Sequence, residues 1–150
     1  MIIDIPVLSA APSNIEDPPQ FFINNSIFSL SFLTGTACLF YQILPSTYLG
    51  ASIDWKLYWT GPGTVTWSIT LQRLLQGSAI STYSFNPEQT VVQTGGGVGV
   101  LSIATINMTQ AEMGNIVDND FFRLKVKLNS HTSSGGNRAQ LINIAAINGA

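Results

Sequence analysis

The chain has 150 residues, the size of one domain able to bury a hydrophobic core, and 45% of them are apolar while only 9% are charged, far below the ~25% of a typical soluble domain. That composition excludes intrinsic disorder, and a net charge of −2 supplies no field to gather nucleic acid or an anionic membrane surface. No apolar run reaches the ~18 residues of a bilayer-spanning helix, and Cys38, the sole cysteine, excludes an intrachain disulfide or a cysteine-built zinc site.

Residues 1–20 hold four of the seven prolines and show no alternation, so they are expected to form an extended arm ahead of a sandwich domain at 21–150. They lack a basic leader and do not read as a signal peptide. Strands are expected at 28–32, where Phe28, Leu30 and Phe32 alternate with serines, and at 39–43, stopped by Pro45. Cys38, beside that second strand, reads as a buried, inert thiol.

Two strands follow with clear alternation. Ile53, Trp55, Leu57 and Trp59 oppose Asp54, Lys56 and Tyr58, and Val65, Trp67, Ile69 and Leu71 oppose Thr64, Thr66, Ser68 and Thr70. Gly61-Pro62-Gly63 between them is a tight-turn signal, so the two are expected to pair as a hairpin. Residues 81–85 form a weaker strand closed by Asn86-Pro87, and Gly95-Gly96-Gly97 a flexible loop before a strand at 98–106. Thr109 and Glu112 have the spacing of a capping box, with Gly114 as a stop, which predicts one short helix at 109–114. Strands at 122–128 and 140–147 complete about eight, an all-β antiparallel sandwich of the jelly-roll kind. Trp55, Trp59, Trp67, Ile69, Leu124 and Val126 fall on inward phases and form the predicted core.

Catalytic chemistry finds little support. His131, the only histidine, lies in a polar loop without a Gly-x-Ser-x-Gly elbow elsewhere, so no serine triad is expected. Asp118 and Asp120 flank Asn119 as turn formers, and the cluster lacks the glycine and distant glutamate of a calcium loop. The glycine run at 95–97 has neither the Lys-Ser/Thr nor the strand–helix context of a phosphate loop. The chain is therefore expected to be no enzyme and to use no metal or cofactor. Arg123, Lys125 and Lys127, half of all the cations, share one face of a strand. They read either as a solvated face that discourages edge aggregation or as a basic stripe that docks on an acidic partner.

Several motifs in order carry a resemblance. They are Asp17-Pro18-Pro19-Gln20-Phe21, the Leu44-Pro45 strand end, the Trp-rich stretch from Trp55 to Ile69, Asp120-Phe121-Phe122-Arg123-Leu124-Lys125-Val126, and a Ser/Thr/Gly loop before the last strand. This order resembles small virion proteins of tailed bacteriophages. The resemblance implies a non-enzymatic virion structural protein made in the host cytoplasm, a capsid decoration (cement) protein or small head fibre. Its partners would be itself, as a homotrimer, and a phage capsid or other virion protein, with no nucleic acid and no membrane. Ile5, Val7, Leu8, Phe21, Phe22, Arg123, Lys125 and Lys127 are its candidate assembly contacts. Deleting residues 1–20 would then leave the sandwich folded and abolish shell binding. The alternative is a tail or fibre module that recognises a host glycan through the loops at 130–137 and 95–97.

Overall fold

Period-two alternation resolves into eleven strands in the computed structural model, which describes residues 2–13, 16–24, 27–77, 79, 84–132 and 138–149. They are β1 (Ile2–Pro6), β2 (Ala11–Pro12), β3 (Gln20–Asn24), β4 (Ile27–Phe32), β5 (Ala37–Ile43), β6 (Ile53–Gly61), β7 (Thr64–Leu74), β8 (Gln89–Thr94), β9 (Gly97–Met108), β10 (Phe121–His131) and β11 (Ala139–Asn148). One sheet, here the front sheet, runs β3-β4-β11-β6-β9, with β1 also on β11. The back sheet runs β2-β5-β10-β7-β8.

The last eight strands explain the count read from the pattern. β7 pairs β8, β6 pairs β9, β5 pairs β10 and β4 pairs β11, all antiparallel, so the chain is one long ribbon folded back on itself. The ribbon is rolled so that β11 also meets β6 and β10 also meets β7. That is a jelly roll, and β1, β2 and β3 are additions to it.

The core fills the space between the sheets. Trp55, Trp59, Trp67, Ile69, Leu124 and Val126 are fully buried in it. Trp67 meets the edges of Phe32 at 5.0 Å and Trp59 at 6.0 Å, and Trp55 meets Phe122 at 5.9 Å. Such edge-to-face contacts add about 0.5–1.5 kcal/mol beyond area burial.

The structure departs from the expected elements in four places. β6 and β7 do not form a hairpin. Gly61-Pro62-Gly63 carries the chain across to the opposite sheet, so that Trp55 and Trp59 of β6 and Trp67 of β7 all point into the core from facing sheets. Residues 2–12 are not a free arm. β1 pairs along β11 from Ile2↔Ile147 to Pro6↔Asn143, and Ile3, Ile5 and Val7 are buried. Prolines mark the ends of these short segments: Pro6 ends β1 and Pro12 ends β2.

The predicted helix is a single turn. Thr109 and Glu112 do exchange capping bonds, the Thr109 N–H donating to the carboxylate at 2.7 Å and the Glu112 N–H to the hydroxyl at 3.3 Å. Gly114 and Asn115, at φ 73° and 57°, then turn the chain away at once. Finally, part of the expected strand at 81–85 lies outside the described residues, and Ser84 and Phe85 are not in a strand. The edge of the back sheet is β8 instead.

Candidate functional site

The outer faces of the two sheets differ. On the back sheet the central outward residues Ala37, Leu39, Ser68, Thr70, Gln72 and Arg123 are buried, while Tyr41, Ile43 and Phe121 at one end are exposed. Residues 13, 16 and 17 and the segment 84–88 lie over the central ones. The ring of Phe85 stands 5.2 Å from both the Arg123 guanidinium and the Lys125 ammonium. Arg123 donates to Gln72 at 2.7 Å, Lys125 pairs with Glu16 at 2.9 Å, and Asn129 donates to Glu88. Burial pushes the Glu16 carboxyl up, but the hydrogen bonds from Ser13 and Lys125 and the charges of Lys125 and Lys127 outweigh it and hold the group below the usual carboxylate range.

These contacts settle the basic residues of β10. Arg123 is buried under Phe85, so it is no docking contact, because its planar cation is already spent on Gln72 and the ring. Lys125 is mostly buried and paired, and Lys127, about a third exposed, lies 4.0 Å from Glu16. They form neither an open basic stripe nor a bare solvated face. Ile5 and Val7 also leave the set of surface contacts, since they pack in the core. Leu8, Phe21 and Phe22 remain on the surface, 61%, 56% and 42% exposed.

On the front sheet Gln20 and Phe22 are exposed and Arg138 and Gln140 half-buried, around Ser29, Ser31 and Thr60, which are buried. Across β3, β4, β11 and β6, register aligns Gln20 with Ser31, Phe22 with Ser29, Ser31 with Gln140, and Gln140 with Thr60 on the outward side. Gln20, Phe22, Ser31, Arg138 and Gln140 line a shallow cleft of about 250 Å³ there. Arg138 bridges its strands, donating to the Gln20 side chain at 3.1 Å and to the Ser31 carbonyl at 3.5 Å. The cleft combines one exposed aromatic ring with two amides, a hydroxyl and a guanidinium. Planar donors and acceptors around an apolar ring match a ligand that has C–H faces and a rim of hydroxyls. A second, smaller groove of about 90 Å³ between β2 and β3 is lined by Ala10, Ala11, Pro12, Pro18, Pro19, Phe21, Leu30 and Cys38, and it offers almost no polar group. Cys38 lies buried, and burial pushes its thiol up, away from the reactive thiolate.

The remaining sequence candidates are structural. A His131 ring nitrogen bonds the Pro62 carbonyl at 2.7 Å and ties the end of β10 to the turn between sheets. Asp120 pairs with Arg73 at 2.5 Å and accepts the Val117 N–H at 2.8 Å. No group of three or more metal-ligating side chains occurs among the described residues. Gly95 does not belong to a flexible loop. A Cβ there would lie 2.1 Å from the Gly61 carbonyl oxygen, so the β8–β9 connection is packed on the β6–β7 turn. Most of the 130–137 loop lies outside the described residues, 133–137.

Gln20, Ser31, Arg138 and Gln140 carried no signal in the linear pattern, because they meet only through the pairing of β3, β4 and β11. Phe22 was legible as a surface aromatic.

No protein-family model matches the chain, and no curated protein is similar to it in sequence. Solved structures do match in fold. An exo-β-1,3-galactanase from Phanerochaete chrysosporium superposes with a TM-score of 0.59 at 11% identity over 97% of this chain. The match spans only 29% of the galactanase. Two others match along nearly their whole length: the CBM35 module from Cellvibrio japonicus Abf62, with a TM-score of 0.57 at 10% identity over 100% of this chain and 95% of the module, and the xylan-binding module CBM15, with 0.56 at 8% over 97% and 95%. At these identities the likeness is one of fold: this chain has the β-sandwich of carbohydrate-binding modules.

Proposed function

We propose that this protein is a non-catalytic module that recognises a polysaccharide through the open face of its front sheet. The observation that carries the reading is the asymmetry of the sandwich. Loops cover the centre of one outer face and leave only the Tyr41–Phe121 stack and Ile43 exposed at its margin, while the other presents the polar-rimmed Gln20–Phe22–Ser31–Arg138–Gln140 cleft. Such cover is what a purely structural face needs, and an uncovered aromatic-and-amide cleft is what a sugar ring needs. The fold likeness to carbohydrate-binding modules of about this size supports it. The glycan alternative thus takes precedence over the shell-binding role expected from the sequence, and the reading surface moves from the end loops to a sheet face.

The test is retention in affinity gels cast with xylan, arabinogalactan or bacterial capsular polysaccharide. The native chain should be retarded by at least one, and Phe22→Ala and Arg138→Ala should each weaken binding about tenfold, equivalent to ~1.4 kcal/mol. Both positions lie on the surface, so the variants should keep the native fold. Retardation that neither substitution reduces would overturn the assignment of the site.

A further inference from the structure

Sheet edges are normally blunted against self-association by charge, proline, bulges or brevity. Most edges of this molecule are. β2 has two residues and β1 contains Asp4 and Pro6. β9 begins with Gly97 and Gly99 at φ 115° and 77°. β3 and β8 have no such device, and of the two only β3 carries a run of exposed apolar side chains, since β8 sets its valines among glutamines and threonines. β3 pairs with β4 in unbroken register from Gln20 to Asn24, and among the described residues no strand lies on its other side. Every second residue of such a strand turns its N–H and C=O outward. No charged residue occurs anywhere from Pro18 to Ile53. The hairpin is also apolar at its margin, with Phe21, Phe22, Ile23, Ile27 and Phe28 exposed by 56, 42, 60, 51 and 47%.

We infer that β3 is a dimerisation edge, pairing antiparallel with β3 of a second copy so that the front sheets of two molecules become one. A strand that pairs with its own copy closes as a two-fold dimer. A register centred on Phe22 places Phe21 of each copy opposite Ile23 of the other and meets no like charges. Phe and Ile side chains about half exposed each have roughly 100 Å² left to bury, so Phe21, Ile23, Ile27 and Phe28 of both copies give up to about 800 Å² with Phe22 left free for the cleft. The two edge backbones bring the pair toward the ~1,000 Å² at which specific interfaces begin. Besides closing the edge, the pairing brings the two Phe22 rings together on the open face and sets two clefts side by side. That consequence rests on the glycan reading; the pairing itself rests on the edge alone. Two clefts on one rigid sheet bind a repeating polymer with an avidity that a single cleft lacks.

Light scattering on a sizing column tests the pairing with the full chain and two variants. The native protein should elute at about 32 kDa, twice its 16.1 kDa mass, and Ile23→Lys as a monomer. Val98→Lys, at an equally exposed position on β9, should remain a dimer. A native monomer at ~100 μM, a ~48 kDa trimer, or a dimer that survives Ile23→Lys would overturn the proposal. Near-ultraviolet circular dichroism of the three buried tryptophans checks that Ile23→Lys is folded. Should it not be, amide exchange of the native chain decides: β3 amides protected at high concentration and rapid on dilution support pairing, and rapid exchange at both refutes it. For the consequence, Ile23→Lys should bind a short oligosaccharide as the native chain does but lose ~100-fold or more on the polymer. Failure of every form to bind any glycan would strike the proposed function and leave the pairing standing.

Discussion

Trp59 of the front sheet and Trp67 of the back sheet meet edge to face at 6.0 Å, joining two consecutive strands that share no backbone hydrogen bond. Trp59 is held from outside the core as well. Its indole N–H donates to Gln93 at 3.0 Å, and Gln93 in turn donates to the Ile103 carbonyl at 2.8 Å, so one side chain ties β8 to β9 across the gap between sheets. The space for this arrangement depends on Gly95, which packs against Gly61 and the Trp59 ring.

Gly95→Ala is therefore expected to destabilise the fold by about 1–3 kcal/mol, as overpacking against backbone does. Gln93→Leu should cost a comparable ~1–3 kcal/mol, since it leaves a buried indole donor without its partner. Urea denaturation followed by tryptophan fluorescence measures both. Native-like midpoints would mean that the junction is looser than the structure has it.

The first strand gives a second prediction. Ile5 is fully buried, and Leu8, three residues on, is 61% exposed. Ile5→Ala should cost about 2–5 kcal/mol, and Leu8→Ala should fall within about 0.5 kcal/mol of the native chain. Deleting residues 1–12 should unfold the protein rather than release an idle arm, because β1 completes the flank of β11 that β4 leaves uncovered. Thermal melts of the three variants distinguish a core strand from a free one.

Acid sensitivity follows from Glu16. Its folded-state pKa lies below the unfolded value of about 4.3, so its contribution is complete above that value and is lost as pH falls through the lower folded value. Thermal stability should thus drop on acidification below about pH 4.3, and Glu16→Gln should shallow that drop while lowering stability at neutral pH. Parallel acid limbs for the two proteins would show that Glu16 does not couple to the fold through Lys125.

The strands of the jelly roll were legible because alternation reports which residues face inward, and all three tryptophans fall on the inward phase. Alternation says nothing about which strand pairs with which. For that reason the Gly61-Pro62-Gly63 turn read as a hairpin when it is a crossing between sheets, and Arg123, on an outward phase, read as solvated when Phe85 covers it. β1 escaped notice for a related reason. Ile3, Ile5 and Val7 do alternate, but the prolines around them outweighed three residues of pattern. The cleft depends still more on tertiary pairing: Gln20 and Arg138 are distant in sequence and 3.1 Å apart in space.

The central claim is that the open face of the front sheet holds the glycan. Amide chemical shifts of the isotopically labelled protein, titrated with an oligosaccharide cut from a retained polysaccharide, test it most directly. The largest changes should cluster at Gln20, Phe22, Ser31, Arg138 and Gln140. Changes confined to the covered back face, around Phe85, Arg123 and Lys125, or to the end loops near Gly95 and His131, would contradict it.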